Sequence, residues 1–397
     1  MSRGTASSSR NLALYFACQA LVASSTSLLV AASAIVGVML MPDARLATLP
    51  AALQQLATFL ATYPASHLMA RVGRRAGFSL GAVLGVLGGA AAALGILRGS
   101  FGLFCAGTAL IGGHAGFATF YRFAATEGAP LERRERALGW VMSAGVLAAF
   151  LGPWLANRTK DLWSTTFAAS FALLCVMALV ALVLLQFLDA SEAPPAVARR
   201  ARISAREVAR QPAFFLFTAA AMVSGATMVF VMTATPLAMA GCHHGFDHTS
   251  HVIQWHVMAM FAPSFVTGRL IARFGVSPIV LGGLGLCATA AIVNASGTSV
   301  PHFQIGLVLL GLGWNLAFIG VSTRLARVAP EERATSQGLN DLLVFSAVAI
   351  ASLLSGVVEH TAGWRVLNLA VLPLVAMVGL GIALRLRANR AQELAAA

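Results

Sequence analysis

The feature that most constrains the fold of this chain is its succession of long apolar runs. One run, TTFAASFALLCVMALVALVLLQFL, extends from Thr165 to Leu188, and comparable runs recur along the whole length. About 20 apolar residues in a helix suffice to cross a hydrocarbon core about 30 Å thick. Hydrophobic residues make up 58% of the chain and charged residues only 10%, whereas soluble globular proteins are roughly 25% charged. We therefore expect an all-α integral membrane protein that crosses the bilayer many times.

The basic residues indicate how the chain is oriented in the membrane. The formal net charge is +13, and Lys160 is the single lysine among 27 basic residues. Most arginines lie in short clusters on alternate connections between apolar runs, as the positive-inside rule requires of cytoplasmic loops. These clusters are Arg71/Arg74/Arg75, Arg133/Arg134/Arg136, Arg199/Arg200/Arg202/Arg206/Arg210, Arg324/Arg327/Arg333 and Arg385/Arg387/Arg390. This alternation indicates that the arginines orient the helices in the membrane and do not form a nucleic-acid-binding surface. No nucleic-acid partner is therefore expected.

Hydropathy and turn signals predict twelve membrane-spanning helices in two groups of six. The longest hydrophilic stretch, 189–211, is rich in Ala, Pro and Arg and divides the groups. We accordingly expect an N-terminal six-helix bundle over 1–188, a cytoplasmic basic linker over 189–211 and a C-terminal six-helix bundle over 212–397. An even number of spans places both termini on the same side, and the arginine clusters assign that side to the cytoplasm. The predicted spans are 11–39, 47–69, 76–97, 101–124, 137–156, 164–188, 212–240, 250–271, 276–295, 302–325, 337–358 and 363–385.

The two halves share short similar motifs, here called echoes, that recur at nearly the same spacing. SHLMARVG, from Ser66 to Gly73, follows the second span, and GRLIARFG, from Gly268 to Gly275, follows the eighth. After the fourth and tenth spans, Ala129-Pro130 with Glu132-Arg133 recurs as Ala329-Pro330 with Glu332-Arg333. Two matches at nearly the same offset indicate an internal duplication.

The loops after the second and eighth spans resemble those of the major facilitator superfamily, whose hallmark there is Gly-x-x-x-Asp-Arg-x-Gly-(Arg/Lys)-(Arg/Lys). Arg71 and Gly73, followed by Arg74 and Arg75, fit the first copy, and Arg273 and Gly275, preceded by Gly268, fit the second. Ser66 stands for the first glycine of the first copy, and Ala70 and Ala272 replace the aspartates. The resemblance implies two pseudo-symmetric six-helix bundles that rock about a central site, with Arg71, Gly73, Arg273 and Gly275 in gating loops.

Few polar side chains are predicted inside the spans. Asp341 and Glu359 are the acidic candidates, and the predicted boundaries place both near helix ends, which argues against carboxylate-driven proton coupling and capture of a strongly cationic drug. The other buried polar candidates serve more often as contacts between helices than as substrate ligands. They are Gln19, Gln54, Gln55, His114, Asn315 and Asn340.

The seventh and eighth spans contain two pairs of donor side chains at helical spacing. Met228 and Met232 lie one turn apart, as do His256 and Met260. If the spans form an antiparallel hairpin, Met232 falls opposite His256 and Met228 opposite Met260, with both pairings centred on His244. Thioether sulfur is a soft ligand suited to Cu(I) and a poor ligand for Mg, Ca or Mn. A methionine pair alone is more often packing, but the matched depths favour a metal site.

These motifs, MxxxM and HxxxM, resemble those of the CcoA-type copper importers within the superfamily. The resemblance implies uptake of copper, as a transported substrate and with no prosthetic group, across the bacterial inner membrane by alternating access. It further implies Met228, Met232, His256 and Met260 as ligands, a role in cytochrome oxidase assembly, and copper chaperones as partners beside the lipid bilayer. We expect a monomer.

The turn between these spans carries the sequence CHH, from Cys242 to His244, and two further histidines, His248 and His251. Thiolate and imidazole both bind copper, so Cys242, His243 and His244 are candidates for capturing the ion before it descends. The alternative is an ordinary polar turn. The five cysteines include no CxxC pair and indicate no disulfide framework.

Two other functions are compatible with the sequence. A carrier of a small organic solute, such as a vitamin or drug, would use Gln254, Trp255, Trp314 and Asn315 as contacts and the methionines as apolar lining. A non-transporting copper sensor or assembly partner is the other, although the duplicated architecture argues against it. The sequence contains no P-loop and no catalytic constellation, so we do not expect an enzyme.

Overall fold

The computed structural model describes residues 2–41, 43–127, 134–189, 204–328 and 330–396 of the chain. Within these ranges the secondary structure is helical and contains no strand. The α-helices are α1 (Ser2–Leu40), α2 (Leu49–Val72), α3 (Arg74–Leu97), α4 (Phe101–Ala118), α5 (Tyr121–Glu127), α6 (Arg134–Thr159), α7 (Ala168–Gln186), α8 (Ala205–Ala209), α9 (Pro212–Gly241), α10 (Phe246–Phe261), α11 (Ser264–Phe274), α12 (Val276–Ser296), α13 (Val300–Ala326), α14 (Pro330–Ala370) and α15 (Leu372–Ala396).

The lengths of these helices fit a membrane protein of the expected class. Among the described residues, nine helices are long and apolar enough to cross a bilayer, or ten if the bent pair α10 and α11 forms one span. The last of them, Thr335–Ala388, has 54 residues, which is long enough for two crossings. It is broken at Gly363, where α14 bends. α2 adds a further helix of 24 residues, so the helices accommodate the predicted twelve crossings.

The helices group into two compact units. The first comprises 1–197 together with 243–261, and the second comprises 198–242 together with 262–397. The bundle boundaries predicted from the sequence, at 188 and 212, differ from this grouping mainly in α10, which the structure places with the first unit. The equal division into six and six helices stays a prediction.

Within each unit, small residues allow helices to approach closely. In the second unit, a Cβ atom added to Gly313 on α13 would lie 2.7 Å from the carbonyl oxygen of Gly283 on α12. In the first unit, a Cβ atom on Gly89 of α3 would overlap the backbone nitrogen of Cys175 on α7. Backbone contacts of this kind stabilise helix pairs in a membrane, where the hydrophobic effect offers no driving force between helices.

The sequence echo after the second and eighth spans has the same backbone geometry in both copies. Gly73 ends α2 and begins α3 with φ 84° and ψ 164°. Gly275 ends α11 and begins α12 with φ 85° and ψ 167°. Side chains with a Cβ rarely adopt this region, so glycine is required at both corners. The first copy of the second echo lies outside the described residues, at 128–133, as does Ala329 of its second copy.

The close approach of α12 and α13 predicts a strong difference between two glycines. Gly313→Val would force α13 away from the Gly283 carbonyl and should lower the melting temperature of the detergent-solubilised protein by several degrees, since overpacking costs about 1–3 kcal/mol. Gly285→Val is the control, because a Cβ atom at Gly285 meets no atom within 4 Å. Equal melting temperatures for the two variants would show that this contact does not hold the helices together.

Candidate functional site

α10 packs along α6 in an antiparallel arrangement within the first unit. The Ser250 hydroxyl at the start of α10 donates to the carbonyl oxygen of Pro153 at 2.6 Å. Near the other end of α10, the ring of Phe261 packs against Gly145. Ile253 and Val257 lie between these contacts in a small apolar cluster with Ala149 of α6 and Ala31 of α1. The packing partner of the eighth predicted span within this unit is therefore a helix remote from it in sequence.

The four predicted metal ligands are buried side chains on two helices. Met228 and Met232 lie one turn apart on α9, in the second unit, and each is 6% exposed. His256 and Met260 lie one turn apart on α10, in the first unit, and both are buried. Among the described residues, no group of three or more His, Cys, Asp or Glu side chains could hold a metal ion. The convergence of these four residues on one ion stays a prediction.

The histidine-rich turn has the local structure of a helix–turn–helix connection. Cys242 caps α9, and its amide nitrogen donates to the carbonyl oxygen of Ala238 at 3.0 Å. His243 adopts a left-handed conformation with φ 61°, which reverses the chain before α10 begins. The imidazole of His248 lies 3.9 Å from the carboxylate of Asp247. These features account for the turn as a polar connection, and the capture role of Cys242, His243 and His244 stays a prediction.

Trp255, a contact expected for an organic solute, belongs to an aromatic stripe on the exposed side of the α6–α10 pair. Its indole nitrogen donates to Nε2 of His251 at 3.1 Å, and its ring meets Phe150 of α6 edge-on, 6.4 Å between centroids. The neighbouring exposed residues of α6, Leu147 and Trp154, are apolar or aromatic. Such a surface is typical of the lipid-facing side of a transmembrane helix.

Asn315, a second expected contact, connects two helices of the second unit. Its carbonyl oxygen accepts from the hydroxyl of Thr267 at 2.8 Å, and its amide nitrogen donates to the hydroxyl of Ser264 at 2.7 Å. Asn315 and Thr267 are both buried. This amide therefore holds α13 against α11, in the way that polar side chains join helices inside membranes.

Trp314 and Phe318 form an aromatic platform on α13. Their ring centroids lie 4.9 Å apart and their planes diverge by 13°, so the rings are stacked face to face. Trp314 is half-buried, whereas Phe318 is 39% exposed. Trp314 lies near the middle of the 27-residue helix. The pair therefore presents a flat π surface at a central depth of the helix.

Asp341 lies deeper in its helix than the sequence indicated. The predicted span began at 337, but α14 begins at Pro330, which places Asp341 three turns inside the helix rather than near its end. The side-chain Nδ2 of Asn340 donates to Oδ1 of Asp341 at 3.2 Å. An exposed carboxylate at this position is costly in hydrocarbon, and such residues usually face a water-filled volume and mark substrate or ion pathways. Sequence reasoning missed it because the apolar run starts later than the helix.

The four residues of the predicted gating loops lie at the two equivalent corners already described. Arg71 is exposed at the end of α2, next to Gly73, and Arg273 is exposed at the end of α11, next to Gly275. The guanidinium carbon of Arg273 lies 5.2 Å above the ring of Phe274. Their participation in gating stays a prediction.

Comparison with known proteins identifies both a family and a close relative. The sequence profile of the Major Facilitator Superfamily matches residues 15–262. The riboflavin transporter RfnT of Brucella anthropi is 43% identical over 383 residues, which cover 95% of this chain and 96% of the relative. YdeG of Bacillus subtilis, an uncharacterised transporter of the superfamily, is 30% identical over 81% of this chain and 79% of its own length.

Two solved structures share the fold. The nucleoside transporter NupG has a TM-score of 0.71 at 13% identity and covers 93% of this chain and 99% of its own. A bacterial homologue of the human lysosomal transporter Spinster, in an inward-facing and unoccupied conformation, has a TM-score of 0.71 at 15% identity, with coverages of 95% and 96%. These likenesses support the fold and carry no information about the cargo.

The copper interpretation is wrong. A relative that is 43% identical over nearly the whole of both chains is a riboflavin transporter, and this outweighs two four-residue spacings in a chain with 13 methionines. Copper transport, metal binding and a role in cytochrome oxidase assembly lose their basis, as do copper as a substrate and copper chaperones as partners. The physical reason for the error is that thioether side chains are also ordinary apolar packing groups.

Asn315→Ala should destabilise the second unit because it removes both hydrogen bonds between α13 and α11. We expect a loss of about 1 kcal/mol, the usual size for such bonds in membranes, measured as a lower melting temperature in detergent. Thr323→Ala is the control, since its hydroxyl bonds only within α13, to the carbonyl oxygen of Ile319. An Asn315 variant as stable as the Thr323 variant would contradict the assigned role.

Proposed function

The chain belongs to the Major Facilitator Superfamily, and we propose that it is a secondary transporter that carries riboflavin into the cell. The observation that carries this proposal is the 43% identity to the riboflavin transporter RfnT over 95% of this chain. The proposal corresponds to the vitamin carrier that the sequence left open as an alternative to copper.

The chemistry of the second unit supports an uncharged aromatic cargo. Riboflavin consists of a planar tricyclic isoalloxazine ring and a ribityl chain with hydroxyl groups. Trp314 and Phe318 offer a stacked aromatic surface, and stacking between aromatic rings favours parallel, offset planes. Among the described residues, no group of His, Cys, Asp or Glu side chains is arranged for a metal ion.

The same proposal includes an orientation in the bacterial inner membrane. The arginine clusters place both termini in the cytoplasm by the positive-inside rule, and the turn at Cys242–His244 then lies on the opposite side. The proposal also takes the monomer as the transporting form.

Expression of the chain in a riboflavin-auxotrophic bacterium that lacks its own riboflavin carrier should restore growth on low riboflavin and uptake of labelled vitamin. Uptake should be saturable and unaffected by added copper. Cells with the empty vector give the background, and a carrier of unrelated cargo expressed at the same level controls for membrane load. Uptake at the background level, with the protein present in the membrane, would overturn the proposal.

Met228, Met232 and Met260 act as apolar packing groups in this account. Leucine has a similar volume, and swaps of this kind usually cost less than about 1.5 kcal/mol. Met232→Leu and Met228→Leu should therefore retain at least half of the wild-type riboflavin uptake at equal protein level. Met232→Asp is the matched control that should abolish uptake, because it places a charge at a buried position. Loss of uptake in both leucine variants would indicate a specific role for the thioethers.

The accessibility of Cys242 to a membrane-impermeant reagent tests the proposed orientation of the chain in the membrane. Cys242 is half-buried in the turn after α9, whereas Cys18, Cys105 and Cys287 are buried within spans. A membrane-impermeant maleimide added to intact spheroplasts should label the wild type, and Cys242→Ser should remove most of the label. A variant with serine at the other four cysteines should label as the wild type does. Labelling of Cys242 only after the membrane is permeabilised would reverse the assigned orientation.

A further inference from the structure

Asp341 and the Trp314–Phe318 pair lie on consecutive helices of the second unit, and Asp341 and Trp314 are about equally far from the connection that joins them. α13 ends at Ala326 and α14 begins at Pro330, so a short connection joins the two helices, and both pack against α9. Trp314 lies twelve residues before the end of α13, and Asp341 lies eleven residues after the start of α14. At a rise of about 1.5 Å per residue, both are roughly 16–18 Å from the connection.

The exposed faces of the two helices carry these groups in regular order. On α14, Gln337, Asp341 and Phe345 follow one another at intervals of four residues, and all three are exposed. On α13, the exposed Phe318 and Ser322 follow the half-buried Trp314 at the same interval. Residues four apart in a helix lie on one face. Each helix therefore presents one face that mixes aromatic and polar side chains.

Such mixed faces are not suited to lipid. α13 packs against α9, α11, α12 and α14, and its glycine face is closed against α12 through Gly283 and Gly313. A carboxylate three turns inside a membrane-spanning helix normally faces the protein interior or a water-filled volume. The exposed face with Asp341 consequently indicates a polar volume beside α13 and α14.

We propose that these residues form the flavin-recognition subsite of the second unit, with separate parts for the ring and the chain of the substrate. The isoalloxazine ring stacks on the Trp314–Phe318 platform. The carboxylate of Asp341 accepts hydrogen bonds from ribityl hydroxyl groups, and Asn340 holds it in position through the bond at 3.2 Å. This inference rests on the proposed riboflavin transport and adds the residues that select the substrate.

The charge of Asp341 also predicts which flavins are rejected. Riboflavin is uncharged at the ribityl end, whereas flavin mononucleotide carries a phosphate there. A carboxylate placed to receive hydroxyl groups repels a phosphate in the same position, and repulsion of the wrong ligand is a common source of specificity. The subsite should therefore accept riboflavin and discriminate against its phosphate ester.

Two ligands distinguish the contributions that the two parts of the subsite make to binding. Riboflavin has both ring and chain, while lumiflavin carries a methyl group in place of the ribityl chain. Asp341→Ala should raise the KM for riboflavin uptake about 10-fold or more, as expected for loss of hydrogen bonds to a charged group. Inhibition of the residual uptake by lumiflavin should keep the wild-type inhibition constant. Trp314→Leu and Phe318→Leu should weaken both ligands together.

Asp341→Asn adds a test of charge. It keeps the shape of the side chain but removes the repulsion, so flavin mononucleotide should inhibit uptake by this variant at concentrations that leave the wild type unaffected. Glu359→Gln is the matched control, since Glu359 is a second carboxylate on α14, more than four turns further along. Trp163→Leu is the control for Trp314, because Trp163 is exposed outside the described helices. Both controls should transport as the wild type does.

Measuring flavin binding to the purified protein tests the subsite independently of transport. Quenching of flavin fluorescence on titration with wild-type protein in detergent should saturate, and Trp314→Leu should lose most of the quenching. Near-wild-type binding and uptake in Trp314→Leu, Phe318→Leu and Asp341→Ala would overturn the subsite while leaving riboflavin transport intact. Absence of riboflavin uptake by the wild type would instead overturn the proposed function. A variant that binds flavin normally but transports none would assign Asp341 to movement or coupling and contradict its role in recognition.

Discussion

The lipid environment leaves close contact between helix backbones as the main source of cohesion, and the rest of this structure depends on it. Each spanning helix forms its backbone hydrogen bonds internally. The helices therefore associate mainly through close packing of complementary surfaces. The contact of Gly313 with the Gly283 carbonyl and that of Gly89 with the Cys175 amide show how near the backbones come. Since small residues perform the packing, the few polar side chains at mid-helix are available for connection between helices or for recognition.

Asn315 and Asp341 illustrate these two uses of polarity. The side-chain amide of Asn315 is buried and joins α13 to α11 through two hydroxyl groups, at the position next to Trp314. Asp341 is exposed and held by its neighbour Asn340. A carboxylate at this depth destabilises the helix unless it faces water or ligand. A stacked aromatic pair and an oriented carboxylate on consecutive helices suit a substrate that has a flat ring and a hydroxylated chain.

The sequence predicted the helical class and the duplication well because both depend on local properties. Hydropathy locates apolar helices, and the echo around Gly73 and Gly275 reflects a backbone conformation that only glycine adopts readily. The packing partner of α10 could not be predicted, because the contact of Ser250 with Pro153 joins helices far apart in the chain. The depth of Asp341 was missed because α14 begins with polar residues, before its apolar run.

The identity of the cargo depended on more of the chain than any motif. Met228, Met232, His256 and Met260 have the spacing of a soft-metal site, but the three methionines also serve as buried packing groups. All four are buried in the structure, which fits either role. Identity of 43% over 95% of the chain samples every helix and therefore carries far more weight than two pairs of residues.

Counterflow in proteoliposomes tests the central claim most directly, because it requires no coupling ion and no cellular metabolism. Vesicles that contain the purified wild-type protein and are loaded with unlabelled riboflavin should accumulate labelled riboflavin transiently from a dilute external solution. Vesicles without protein, or loaded with buffer alone, should show no such overshoot. An overshoot absent from protein-containing vesicles, with the protein shown to be folded by its melting transition, would contradict the account.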